Sequence, residues 1–248
     1  MSLPVEHPVE WTEEKVERFW NFESQFPQRY FTFFSAGRIA SYAKPFFSRN
    51  AKILDYGAGV GHLVERLLTQ NRGKIAALDF SPKSVASVSS KFGQAPDFLG
   101  AFQMEDILAS PLVGTFDFIF LIETIEHLDD TAFRHTLANI KRLLAPDGLA
   151  MITTPYREEL MRSLVCCPDC MAVFHRWQHV RSWNEDGLRI ALETEGFVIR
   201  RMEIKDFSTH PLLRILKRIR NFLTGRTAAN LHEASKLIAL VSPHKKSQ

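Results

Sequence analysis

The stretch Ile53-Leu-Asp-Tyr-Gly-Ala-Gly-Val-Gly61 constrains this chain more than any other. Ile53, Leu54 and Asp55 close a short strand, and glycines follow at 57, 59 and 61. Glycine at alternate positions lets the backbone turn tightly and lets a ligand lie directly against main-chain N–H groups. Leu63, Val64, Leu67 and Leu68 then repeat at helical spacing, so the loop feeds a helix N-terminus. A second apolar strand, Ala76-Ala77-Leu78, ends in Asp79, about 20 residues beyond the first glycine. An acid at that distance is placed to accept hydrogen bonds from ribose hydroxyls. Together these features predict a nucleotide site, with a plain βα turn as the simpler alternative.

From residue 51 the pattern alternates between strand and helix. Strands are expected at 52–55, 75–79, 98–103, 117–122, 148–154, 197–204 and 235–241, with helices between most of the first five. That alternation predicts a parallel, doubly wound, Rossmann-like sheet with helices on both faces. Residues 1–50 carry no nucleotide signature. Trp11 to Phe22, with Val16, Phe19 and Trp20, reads as an amphipathic helix, and Phe26 to Phe47 is dense in aromatics. This segment is either one or two helices packed on the sheet edge or an aromatic lid over the ligand, with Arg29 and Tyr30 reaching the site.

Composition narrows the class. A chain of 248 residues with 45% hydrophobic and 24% charged residues is ordinary for one decorated globular domain. No apolar run approaches the ~20 residues that span a bilayer, and the N-terminus lacks a basic-then-apolar signal pattern. A cytoplasmic protein is therefore expected. A net charge of +3 is too small to imply nucleic acid by itself. All three cysteines fall within 166–170, a metal-binding or redox pattern rather than a disulfide framework.

Chemistry concentrates after the fourth strand, at Glu123-Thr-Ile-Glu126-His127. If a helical turn begins there, positions i, i+3 and i+4 share one face. Two carboxylates and an imidazole then converge at the carboxyl edge of the sheet, where a doubly wound fold holds its ligand. That set suits Mg²⁺ or Mn²⁺, or Fe²⁺ as a facial triad. A cation there would lower the pKa of a substrate hydroxyl. Two other readings stay open: His127 as a metal-free general base, or a polar strand end with no chemical role.

Gly-x-Gly-x-Gly preceded by Asp55 is not the Gly-x-Gly-x-x-Gly of dinucleotide enzymes. It resembles motif I of the class I methyltransferases that use S-adenosylmethionine (SAM). The resemblance extends through Asp79, Asp106, Phe116-Asp-Phe-Ile-Phe120 and Leu143-Leu-Ala-Pro-Asp-Gly148. It implies a seven-stranded sheet whose last strand runs antiparallel, with helices 1–50 as a lid on a 51–248 domain. It also implies SAM as cofactor, surrounded by Asp55, Tyr56, Gly57, Ala58, Gly59, Gly61, Asp79, Phe80, Asp106, Ile107 and Ile122. Asp55 would lie near the methionine amino group and Asp79 on the ribose; Asp106 would hold the adenine amino group while Ile107 covers the ring. Glu123-x-x-Glu126-His127 resembles the metal-binding segment of two O-methyltransferase groups, those of ubiquinone biosynthesis and the HEN-type enzymes that methylate small RNAs. The HEN-type resemblance makes His179 a fourth ligand. The implied activity is methyl transfer to a hydroxyl, with a non-catalytic methyltransferase-like binding module or an NAD(P) oxidoreductase as alternatives.

Two insertions are expected on the ligand side. Within 155–183, Cys167-x2-Cys170-x4-His175-x3-His179 is close to a zinc knuckle, and tetrahedral Zn²⁺ would hold the insertion shut. Cys166 can substitute for Cys167, and zinc would compete with the HEN-like reading for His179. Free thiols or a redox pair are the alternatives. His175, Arg176, Trp177 and Arg181 are candidate substrate contacts. The second insertion, 207–232, contains no acidic residue until Glu233 and reads over 211–226 as a basic amphipathic helix. Such a helix contacts phosphates or an anionic membrane surface, or simply caps the domain. The acceptor is left open among a small molecule, a glycan, a lipid-linked hydroxyl and RNA.

Overall fold

The computed structural model describes residues 7–207 and 235–244. The basic stretch 211–226 lies outside the described residues. Seven strands form one sheet: β1 (Lys52–Tyr56), β2 (Lys74–Leu78), β3 (Phe98–Phe102), β4 (Phe116–Ile122), β5 (Leu144–Pro155), β8 (Phe197–Asp206) and β9 (Ser235–Pro243). Their order is β3-β2-β1-β4-β5-β9-β8. The first five pair in parallel, and β9 runs antiparallel to both β5 and β8. This is the Rossmann-like sheet with an antiparallel last strand that the sequence predicts.

Side chains of the central strands alternate between two cores, as a sheet covered on both faces requires. Leu54, Ile119 and Leu121 face α6 (Asp130–Leu143) and α7 (Glu185–Thr194) through Leu137, Ile140, Leu188 and Leu192. Ile53, Phe118 and Phe120 face α2 (Phe31–Ala43) and α3 (His62–Thr69) through Ile39, Ala40, Leu63 and Leu67. The aromatic N-terminal stretch therefore packs α2 on a face of the sheet and not on its edge, because Ile39, Ala40 and Ala43 present a small, wholly buried stripe. Helix starts follow side-chain caps. Ser81 caps α4 (Pro82–Phe92), Asp129 caps α6, and Asn184 caps α7.

The insertion after β5 forms a hairpin, β6 (Leu164–Cys166) and β7 (Val173–His175). Residues 7–9 dock on it, with Val9 N–H donating to Val173 and Val173 N–H donating to His7. Helix α1 (Glu13–Glu23) then brings Trp20 to the carboxyl edge of the sheet. No helix among the described residues is long and apolar enough to cross a membrane.

Candidate active site

The order of strands reverses between β1 and β4, and their carboxyl ends open the crevice where doubly wound sheets bind ligands. One wall is the glycine loop. Gly57 and Gly59 have φ of +79° and +54°, and both positions are crowded as well as left-handed. A Cβ on Gly57 would lie 2.8 Å from Thr124 Oγ1, and one on Gly59 would lie 2.7 Å from the Tyr30 ring. The glycine loop thus touches both the segment after β4 and the N-terminal helices.

The loop's N–H groups are used differently from the expectation that they face a ligand. Gly57 and Ala58 donate to the Leu78 carbonyl, Gly61 to Ala58, and Gly59 to Asp79 Oδ2 at 2.8 Å. A ligand accordingly meets the loop's surface rather than a ring of free donors. Asp79 also accepts from Ser81 N–H at 2.9 Å. Each carboxylate oxygen keeps a second lone pair, so ribose hydroxyls remain within its capacity.

Asp55 is buried beside Asp79. Loss of hydration first, and the Asp79 charge second, push its carboxyl up to about 7. Burial likewise raises Asp79, opposed by the Ser81 and Gly59 N–H bonds. Tyr56 and Ala58 are buried, and Ile122 lines the inner end of β4. Phe80 stands 49% exposed after β2, open to stack on a base. Asp106 is exposed on α5 (Met104–Leu108), whereas Ile107 is wholly buried in the core with Leu54 and Leu78. Ile107 therefore has no free face with which to cover a ring, because its position on α5 points into the sheet.

The other wall is Glu123–His127. It is a non-helical turn, with Glu123 at φ +49° and His127 N–H donating to the Thr124 carbonyl. The expected shared helical face is absent for that reason. Glu123 turns aside, accepts from Thr153 Oγ1 at 2.9 Å, and forms an ion pair with Lys236. Glu126, His127 and His179 do converge, with one ligand-capable atom from each lying within 4.8 Å of the others. Glu126 is 1% exposed, and neither of its carboxylate oxygens has a hydrogen-bond partner among the described residues. Burial and the Glu123 charge raise its pKa well above the usual carboxylate range. Burial, then the neighbouring His179, lowers His127 to about 3, so the imidazole is neutral near pH 7.

Glu158, which no spacing rule singled out, backs this cluster. Its Oε2 bonds His179 Nδ1, which leaves His179 Nε2 for a ligand. His175 Nδ1 accepts N–H bonds from Trp177 and His179 at 3.3 and 3.2 Å. Its proton accordingly sits on Nε2, 3.4 Å from Glu158 Oε1. Burial would raise Glu158, but bonds to the two histidines outweigh it and hold the carboxyl at about 2. His127 is further fixed by Trp20, at 4.8 Å between rings, and by Gln178, which bonds both Trp20 and the His127 carbonyl.

The zinc-knuckle arrangement is not assembled. The β6–β7 register pairs Leu164 with His175 and Cys166 with Val173, so the hairpin carries His175 at its base and Cys167 and Cys170 in its turn. Among the described residues, no metal-like cluster includes a cysteine, and Cys166, Cys167 and Cys170 are free thiols. Arg181 is also diverted, pairing with Asp130 at 2.9 Å. Arg176 and Trp177 instead line a cavity of about 360 Å³ beside α1.

No curated protein matches the chain. Solved structures share its fold. A 1,6-didemethyltoxoflavin-N1-methyltransferase from Burkholderia thailandensis, with 1,6-didemethyltoxoflavin and S-adenosylhomocysteine bound, is 18% identical with a TM-score of 0.60, covering 96% of this chain and 94% of its own. A SAM-dependent methyltransferase from Archaeoglobus fulgidus is 17% identical with a TM-score of 0.59, covering 90% and 98%. The [4+2]-cyclase SpnF is 13% identical with a TM-score of 0.62, covering 97% and 100%, so this fold alone does not fix the chemistry. Residues 20–201 match the family described as the methyltransferase domain, and the chain belongs to that family.

Proposed function

We propose that this protein transfers the methyl group of SAM to a hydroxyl oxygen, assisted by a divalent cation held by Glu126, His127 and His179. The observation that carries the reading is the convergence of those three side chains beside the glycine loop. A buried carboxyl with two unpartnered oxygens and two imidazoles with free nitrogens fit a cation's donor requirements. With Glu123 turned away the set has two nitrogens and one carboxylate, which favours Mn²⁺ or Fe²⁺ over the oxygen-preferring Mg²⁺. When bound, such a cation would lower the pKa of the acceptor hydroxyl.

SAM supplies a reactive methyl, so the chain's task is chiefly positioning. The acceptor oxygen attacks, the S–CH₃ bond breaks, sulfur keeps the electron pair, and the acceptor's proton passes to solvent. Asp79 holds the ribose, Asp55 the ammonium group, and Phe80 stacks on the base. Glu158 fixes the His179 tautomer, and Trp20 and Gln178 hold His127 in place.

Methyl-labelled SAM, the purified protein and extract of its own cells, with and without EDTA, test the reading. Label in one hydroxyl-bearing fraction, abolished by EDTA and restored by Mn²⁺, is the expected result. EDTA-insensitive label would remove the cation, and label found on nitrogen would remove the hydroxyl acceptor.

A further inference from the structure

The turn of the β6–β7 hairpin carries chemistry that methyl transfer does not use. We propose that Cys167 and Cys170 form a thiol–disulfide exchange site, in which Cys167 attacks a low-molecular-weight disulfide and Cys170 resolves the adduct. The inference goes beyond the methyl-transfer reading and does not depend on it.

The turn brings the two cysteines together. Met171 N–H donates to the Cys167 carbonyl at 2.9 Å, and Cys167 N–H donates to the Ala172 carbonyl at 2.9 Å. The first bond closes one helical turn, which makes residues three apart neighbours. Pro168 fixes the backbone inside the turn, and Met171 leaves it in left-handed conformation at φ +57°. The main chain is thus closed before any sulfur–sulfur bond forms.

The thiols differ, and thiolate character decides which attacks first. The main-chain N–H groups of Cys170 and Asp169, then the Cys170 thiol, hold the Cys167 thiol below its usual range. Cys170 stands exposed beside it. Cys166 belongs to the strand instead, opposite Val173, with its S–H on the Cys167 carbonyl.

A metal is the competing use of a thiol pair. Structural zinc takes four ligands, and among the described residues no His, Asp or Glu joins these cysteines in a cluster. A disulfide needs only the pair. It would span the four residues 167–170, a loop that constrains the unfolded chain less than a long one does. Exposed bridges of that kind are the reducible ones.

The exchange balances with glutathione disulfide as oxidant. The Cys167 thiolate attacks one of its sulfurs, forms a mixed disulfide and expels one glutathione, which takes up the proton that Cys167 gave up. Cys170 then loses its proton, attacks the Cys167 sulfur and expels the second glutathione, which takes up that proton in turn. Two protein thiols are oxidised, and the disulfide is reduced to two glutathione thiols.

Mass spectrometry of the full chain, reduced and then equilibrated with glutathione disulfide, tests this. We expect one bridge between Cys167 and Cys170, reversed by dithiothreitol, with one of the three thiols left free. Cys166→Ser should bridge as the wild type does. In that background, Cys170→Ser should stop at a stable glutathione adduct on Cys167, formed several-fold faster than the Cys170 adduct of Cys167→Ser. A bridge through Cys166, adducts that accumulate on the wild type without closing, or equal adduct rates in the two variants would overturn the proposal. So would tightly held zinc that shields both thiols from the reagent.

Discussion

Lys236 and Glu123, 113 residues apart in the chain, form an ion pair at the carboxyl edge of the sheet. Lys236 sits opposite Pro155 in the β5–β9 ladder and lies over the Phe31 ring at 4.5 Å. It therefore ties Glu123 to the last strand and to the N-terminal helices together. Glu123 is thus committed to the frame, whereas both Glu126 oxygens are without a hydrogen-bond partner among the described residues.

The two carboxylates should separate cleanly on substitution. Glu126→Gln should weaken Mn²⁺ binding at least 100-fold, read by calorimetry or electron paramagnetic resonance. Glu123→Gln should change Mn²⁺ affinity only a few-fold but strand a mostly buried ammonium, costing about 3–5 kcal/mol in denaturant unfolding. Equal losses of metal affinity in the two variants would return Glu123 to the ligand set.

In the proposed site Glu158 would act on the cation through His179. Removing its charge frees the His179 ring to rotate and to place a proton on Nε2. Glu158→Gln should lower Mn²⁺ affinity about 10- to 100-fold, the range typical for carboxylates behind metal-bound imidazoles. Because the Glu158 carboxyl is held at about 2, this backing is present at every pH at which the protein is handled. Unchanged affinity in Glu158→Gln would mean that His179 is oriented by packing alone.

The Tyr30 ring over Gly59 couples the N-terminal helices to the cofactor loop. Gly59→Ala forces a side chain into left-handed backbone at φ +54° and into a 2.7 Å clash. It should cost about 1–3 kcal/mol and weaken S-adenosylhomocysteine binding. Adding Tyr30→Ala removes the clash but not the backbone strain. The double variant should therefore be less destabilised than the sum of the two single changes. Strict additivity would show that the ring and the loop do not press on each other in solution.

The seven strands and the glycine loop were legible because each is a local pattern: apolar runs of strand length, alternate glycines, and an acid at the next strand's end. The partners of Glu123 were not. Its exclusion depends on a left-handed φ at a non-glycine residue and on a lysine in the last strand, and neither leaves a local mark. At the cysteines, spacing in the chain left a zinc knuckle and free thiols both open. The β6–β7 register, set by strands of three residues each, separates them from His175. Strands that short show no readable alternation. Glu158 carries no motif, and only the folded insertion brings it to His179.

In the proposed site Asp55 would link cofactor binding to pH and to stability, with opposite signs. Its carboxyl rises from 3.8 to about 7 on burial, so the fold by itself prefers it protonated. The stability it contributes is fully present below pH 3.8 and is lost as pH rises through about 7. Asp55→Asn removes that loss and should stabilise the protein at pH 8 by about 4 kcal/mol at most, with a smaller gain at pH 5.5. If Asp55 holds the ammonium group of S-adenosylhomocysteine, it does so as the ionised carboxylate, and wild-type affinity should fall as pH drops below about 7. In Asp55→Asn the affinity should be weak and nearly independent of pH over the same range. Calorimetry with S-adenosylhomocysteine from pH 5.5 to 8.5 reads both. A flat wild-type profile would show that Asp55 does not hold the ammonium group, and its burial would then be a cost borne for packing alone.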